Sequence, residues 1–357
     1  MPGKKLVGAG YRFVDETRLS VDFVCQAIII IQFSGMKNLL TLCFLAITLT
    51  LNAQKKIAIS VGAPPDNLSM FGENSVSTFI NERDFALSPD GREIYFTIST
   101  PKSSFQTIVY CRKEKEGFWT SPEVAPFAGS FSDLEPAFSS DGNTLFFSSN
   151  RPLDGKSTKD FDIWKVTRIG SGWSTPENLG PTVNTPADEF YPSVTNSGNL
   201  YFTGAYEGGV GKEDIYVSHF LRGSFQKPVP IDTAVNTRLY EFNAFVSPDE
   251  RYILFTSYGR KDDSGGGDLY ISIKDASGKW QSARNLKSLN SRQLDYCPFV
   301  SQDGKSLFFT SERHQLPVSF SDSKATVKTI GEIMLSPANG TGNIYWINFQ
   351  NVWNSLD

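Results

Sequence analysis

The chain has 357 residues, enough for two ordinary domains or one large repeat domain. A net charge of −4 argues against nucleic-acid binding by phosphate neutralisation, and two histidines, His219 and His314, exclude a His-rich metal centre. Aromatic residues at 13%, with 29 Gly and 19 Pro, indicate β structure with many turns.

The first element in chain order is a processing signal. Met36-Lys37-Asn38 opens it, Leu39 to Leu51 forms an apolar run, and Ala53 offers a small residue at the exit. Residues 36–53 therefore read as a secretory signal peptide. The run is too short for a stable membrane span, so none is expected after processing. Residues 1–35 precede this complete signal. They read as upstream sequence translated from a wrong start, with a disordered leader as the alternative. Cys43 does not mark a lipoprotein, because Leu42 stands where a small residue is needed. Beyond the signal only Cys111 and Cys297 remain, too few for a disulfide framework, and both are expected as small buried hydrophobes.

Residues 54–357 repeat one unit. Its anchor is a turn: Ser88-Pro89-Asp90-Gly91, Ser139-Ser140-Asp141-Gly142, Thr195-Asn196-Ser197-Gly198, Ser247-Pro248-Asp249-Glu250 and Ser301-Gln302-Asp303-Gly304. The spacing of roughly 51 to 56 residues suits propeller blades. A short strand precedes each turn. After it comes a strand holding an apolar doublet: Tyr95-Phe96, Phe146-Phe147, Tyr201-Phe202, Leu254-Phe255 and Phe308-Phe309. Adjacent residues on a strand point to opposite faces, so such a strand lies between two neighbouring sheets. A third strand follows a Gly- and Asp-rich loop, as in Asp162-Ile163-Trp164. The fourth is placed on an aromatic followed by proline or alanine: Phe118 to Pro122, Trp173 to Pro176, Phe225 to Pro228 and Trp280 to Ala283. The fifth copy lacks a fourth strand, and Ile57 to Ser60 is expected to supply it. The fold class is thus all-β, a single propeller of four-stranded blades, five in number with six as the alternative, closed by an N-terminal strand. The insert Leu316 to Met334 reads as a loop.

This repeat resembles the WD40-like (PD40) propeller repeat of the TolB type. The carrying residues are Phe138-Ser139-Ser140-Asp141-Gly142, Leu145 to Arg151 and Asp162-Ile163-Trp164, and the resemblance covers nearly all of Asn81 to Phe349. It implies a fold more than a function, since such propellers serve as periplasmic binding scaffolds, peptidase appendages and parts of envelope assemblies. TolB itself is typically six-bladed with an extra N-terminal domain, and neither is visible here.

Six residues before each anchor stands an acid: Glu82, Asp133, Glu189, Glu241 and Asp295. Asp and Glu number only 38 in the chain, so five acids in one column are no accident of composition. Two readings stay open. The column forms a carboxylate ring at the channel mouth that holds Ca²⁺, Mg²⁺ or a cationic ligand. Otherwise each acid caps backbone N–H groups of its loop, or pairs with Arg151, Arg260 or Arg313. The Gly- and Asp-rich loops Asp154 to Asp162, Glu207 to Asp214 and Asp262 to Asp268 read as ordinary loops, with calcium as the alternative, because their spacing matches no EF-hand or nonapeptide pattern.

The expected function is an exported, periplasmic or extracellular, non-catalytic binding module. It is expected to act as a monomer on an envelope protein or glycan. The alternative is a glycan hydrolase of sialidase or glycosidase type, with paired carboxylates.

Overall fold

The apolar doublet of each second strand explains the whole ring. Phe96 and Phe308 share one buried cluster; Tyr95 and Phe147 share the next. Phe146 meets Phe202, Tyr201 meets Phe255, and Leu254 meets Phe309. Each doublet thus sends one side chain to the blade before it and one to the blade after. Five such clusters close a circle without a free apolar face. The computed structural model describes Ile59 and residues 61–114, 117–153, 158–317, 319–320 and 324–356. The leader, the signal peptide and most of Ile57 to Ser60 lie outside the described residues.

The molecule is a five-bladed β-propeller of four-stranded antiparallel sheets. Blade I runs from the innermost strand Asn81–Leu87 through Glu93–Ser99 and Gln106–Arg112 to Glu123–Val124. Blade II holds Asp133–Phe138, Thr144–Ser149, Asp162–Ile169 and Glu177–Asn178. Blade III holds Glu189–Val194, Leu200–Gly204, Asp214–Ser218 and Val229–Pro230. Blade IV holds Tyr240–Val246, Tyr252–Tyr258, Asp268–Ile273 and Arg284–Asn285. Blade V holds Asp295–Val300, Ser306–Ser311 and Asn343–Asn348, and its outermost strand is Ser69–Met70.

The N-terminal segment does close the ring, but with Ser69–Met70 rather than Ile57 to Ser60. Ser69 pairs with Trp346 and Met70 with Tyr345. The next residue, Phe71, is fully buried against Phe85, Phe308 and Trp346, with ring centroids 5.1, 5.2 and 5.3 Å away. The other four outermost strands show the same displacement. Each begins after the proline or alanine, not before it. The preceding aromatic instead turns back on the end of the third strand, as Trp173 does opposite Arg168 and Trp280 opposite Lys274. In blades I, II and III a proline without the N–H a ladder needs stands at this step, and in blade IV Ala283 gives its N–H to Ala234 instead, so edge pairing resumes beyond it.

The anchor turns are braced alike. The Ser88 hydroxyl donates to Asp90 at 2.6 Å and accepts from the Glu93 N–H at 2.8 Å. Ser139 repeats this with Asp141 and Thr144. Four turns end in glycine with φ between 67° and 82°, which fits a residue without Cβ. The fifth has Glu250 at φ 57°. Its carboxylate accepts from Thr195, Ser197, Asn199 and Tyr201 of blade III at 2.6 to 2.9 Å, so a strained backbone is held by a link between blades.

The Leu316 to Met334 insert is not all loop. It contains helix α1, Val327–Met334, opened by a capping box between Thr326 and Thr329. A second short helix, α2, Phe349–Asn354, follows the last strand and packs Phe349 against Tyr252. Cys111 and Cys297 are buried free thiols. Among the described residues no helix is long and apolar enough to cross a membrane.

Candidate functional site

The five acids of the repeat column are buried at the start of each innermost strand. Each carboxylate turns back to the loop that precedes its own strand. Glu82, Glu189, Glu241 and Asp295 each accept both the N–H and the hydroxyl of a Thr or Ser four residues earlier: Thr78, Thr185, Thr237 and Ser291. Asp133 accepts the Gly129 N–H at 3.3 Å. In three blades a guanidinium completes the brace: Arg151 on Asp133, Arg260 on Glu241 at 3.0 Å and Arg313 on Asp295 at 2.8 Å. Each guanidinium also lies over aromatic rings, Arg260 at 4.7 Å from Tyr270 and Arg313 at 4.8 Å from Tyr345.

Blades I and III lack this arginine. Asn343 reaches Glu82 at 3.2 Å, and the Tyr206 hydroxyl reaches Glu189 at 2.7 Å. The second oxygen of Glu189 is buried without a partner. Burial pushes Glu189 up to about 7, and burial also raises Glu82 and Asp133. Among the described residues no three His, Cys, Asp or Glu side chains are placed to share a metal ion. In the Gly- and Asp-rich loops, Asp214 accepts the N–H groups of Val210 and Gly211, and Asp268 accepts that of Ser264. Residues 154–157 of the third such loop lie outside the described residues.

The next two columns face the axis. One residue past each acid stand Arg83, Leu134, Phe190, Phe242 and Tyr296, and all five line a cleft of about 380 Å³. Two residues past each acid stand Asp84, Glu135, Tyr191, Asn243 and Cys297. All five have φ between 49° and 61°, sit at a break in the strand register, and are buried. A β-bulge re-aims a side chain, and here every blade uses one to point a residue into the bore. Hydroxyls of the neighbouring blade fix three of these bulges: Thr310 accepts from the Asp84 N–H, Thr97 from Glu135 and Thr203 from Asn243.

The bore is filled by an asymmetric polar network. Arg83 donates to Asp84 at 2.7 Å and to Glu135 at 2.9 Å, and lies 5.1 Å from the Tyr296 ring. Glu135 also accepts from the Asn243 amide at 3.2 Å and the Tyr191 N–H at 2.7 Å. The Cys297 thiol donates to Asp84 at 2.8 Å, and the Tyr191 hydroxyl donates to the Pro298 carbonyl at 3.0 Å. All five blades are thereby tied at the axis. Burial, and then the Asp84 charge, pushes Glu135 up to about 7. Burial alone would lower Arg83; Asp84 foremost holds it well above its ordinary value. Repeat logic finds the acidic column because it is invariant. It misses this network because Asp, Glu, Tyr, Asn and Cys do not form one chemical class. The usable signals are Cys297 and the Glu135-Pro136, Tyr191-Pro192 and Cys297-Pro298 steps.

No protein-family model matches the sequence, and no curated protein matches it. Solved structures do resemble it. TolB from Acinetobacter baumannii has 16% identity and a TM-score of 0.42, covering 65% of this chain; the chain spans 49% of that structure. A TolB from Agrobacterium tumefaciens has 17% identity and a TM-score of 0.43, covering 76% of this chain and 91% of that one. The catalytic domain of a Coprinopsis cinerea GH62 α-L-arabinofuranosidase has 12% identity and a TM-score of 0.46, covering 81% and 98%. The likeness is one of fold, and the blade count rests on this chain's own sheets.

Proposed function

We propose that the chain is an exported, non-catalytic binding module whose ligand docks in the cleft at the channel mouth. The observation that carries this reading is the cleft itself. Its size falls in the range of ligand pockets, with half-buried Phe161, Phe190 and Phe242 as walls and Arg83, Glu135 and Asn243 as a polar floor. Apolar walls with a few fixed polar groups are the usual make-up of a recognition site. On this reading the acidic column supports the mouth and does not itself hold ligand.

What favours binding over glycan hydrolysis is the commitment of Glu135. Both its oxygens already accept hydrogen bonds, which leaves Glu213 as the one uncommitted carboxylate among the described residues that line the cleft. A glycosidase needs one carboxyl free to protonate the leaving oxygen and a second facing the sugar.

The test is selection of random displayed peptides and a glycan array against wild type and a Phe190→Ala/Phe242→Ala variant. Binders lost in the variant support the reading. Binders that do not distinguish the two place the ligand elsewhere. Turnover of aryl glycosides, abolished by Glu135→Gln, would replace it with the hydrolase reading.

A further inference from the structure

We infer that the cleft takes a basic side chain, lysine or arginine, presented by a peptide; this rests on the binding reading above. Three charged residues line the cleft: Arg83, Glu135 and Glu213. The guanidinium of Arg83 is already balanced by Asp84 and Glu135, two carboxylates on one cation. Glu213 stands half-buried on the cleft wall with no side-chain partner among the described residues. Formal charge around the cleft is therefore negative, and the unpaired member of it is a carboxylate.

Two nearly buried amides point the same way. Asn243 is 5% exposed and gives its Nδ2 to Glu135, leaving Oδ1 as an unpaired acceptor on the cleft. Gln106 is 6% exposed, and its Oε1 is taken by Ser99, leaving Nε2 as an unpaired donor. Neither atom is fully buried, so each is open on the cleft to a ligand as well as to water. Oδ1 of Asn243 and the Glu213 carboxylate both want N–H donors. The faces of Phe190 and Phe242 attract a cation that lies over them. The remaining Gln106 donor suits a carbonyl of the backbone that carries the cation. An anionic ligand would meet Glu213, and an uncharged one would leave its charge unanswered.

The probes are N-acetyl-lysine and N-acetyl-arginine methylamides, with the norleucine and glutamate analogues as uncharged and anionic counterparts. Binding to the full chain is read from backbone amide shifts at Phe190, Glu213 and Phe242. The cationic probes are expected to shift these amides saturably, about tenfold more tightly than norleucine. Glu213→Gln is expected to remove most of that difference while its urea midpoint does not fall below that of wild type, because burial raises the Glu213 carboxyl. Equal binding of norleucine, no loss in Glu213→Gln, or no shift with either cationic probe overturns the inference. The peptide selection separates this from failure of the parent reading. Cleft-dependent clones without Lys or Arg enrichment sink only the basic side chain; no cleft-dependent clones at all sink the site.

Discussion

Arg83 of blade I and Glu135 of blade II meet at the propeller axis, Nη2 to Oε1 at 2.9 Å, with both side chains largely shielded from water. The pair joins neighbouring blades and balances two buried carboxylates with one guanidinium. Arg83→Met leaves Asp84 and Glu135 without a counter-charge and is expected to cost about 3–5 kcal/mol. Glu135→Gln alone keeps an acceptor and should cost about 1 kcal/mol. In the double variant the costs should fall short of their sum by about 1–3 kcal/mol. Urea denaturation of the four proteins measures this, and simple additivity would contradict the network.

Glu250 links blades III and IV from a left-handed backbone position. Four hydrogen bonds hold its carboxylate down to about 2 against the opposing effect of burial. A depressed carboxyl contributes stability above its unfolded value of 4.5, and that contribution is lost as pH falls toward 2. Glu250→Gly relieves about 1 kcal/mol of backbone strain. It also removes the link, and the net loss at pH 7 is expected to be about 1–2 kcal/mol after solvent screening. Thermal melts from pH 6 to 2.5 should show a shallower acid loss in the variant.

Glu189 behaves in the opposite sense. Its folded value near 7 lies above 4.5, so the folded state holds its proton longer than the unfolded chain. Stability should therefore fall as pH rises from about 4.5 to 7 and level off above. Glu189→Gln is neutral throughout and should gain about 1–2 kcal/mol relative to wild type at pH 8, with no gain at pH 4. Melts at the two pH values decide this.

Phe71 fixes the N-terminal strand into the last blade. Phe71→Ala should cost about 3–5 kcal/mol, because the ring fills a closed aromatic cluster. Phe79→Ala, eight residues on and 46% exposed, should change stability by less than about 1 kcal/mol. Comparable losses in both would mean that the closure carries no special weight.

Calorimetric titration with Ca²⁺ tests the repeat acids. Glu241 meets Arg260, Thr237 and Ser257. Glu241→Gln is expected to lower the melting point without altering any heat of Ca²⁺ binding. Saturable Ca²⁺ binding lost in that variant would return the column to the role of a cation site.

The repeat determined the blade count, because a doublet such as Phe146-Phe147 must bury both faces and only a ring of like sheets does so for every copy. It also placed the ladders up to the third strand, and offered Arg151, Arg260 and Arg313 as partners in one of two readings of the acids. Alternation and spacing are local rules, readable from one chain. The outer strands begin beyond the proline, or beyond Ala283 in blade IV, since pairing at an edge depends on which N–H groups the neighbouring strand leaves open. The repeat pattern did not reveal the bore. Asp84, Glu135, Tyr191, Asn243 and Cys297 become neighbours only when five bulges aim them at one axis. What they do there depends on which partner each finds and how little water remains, and those are properties of the closed ring.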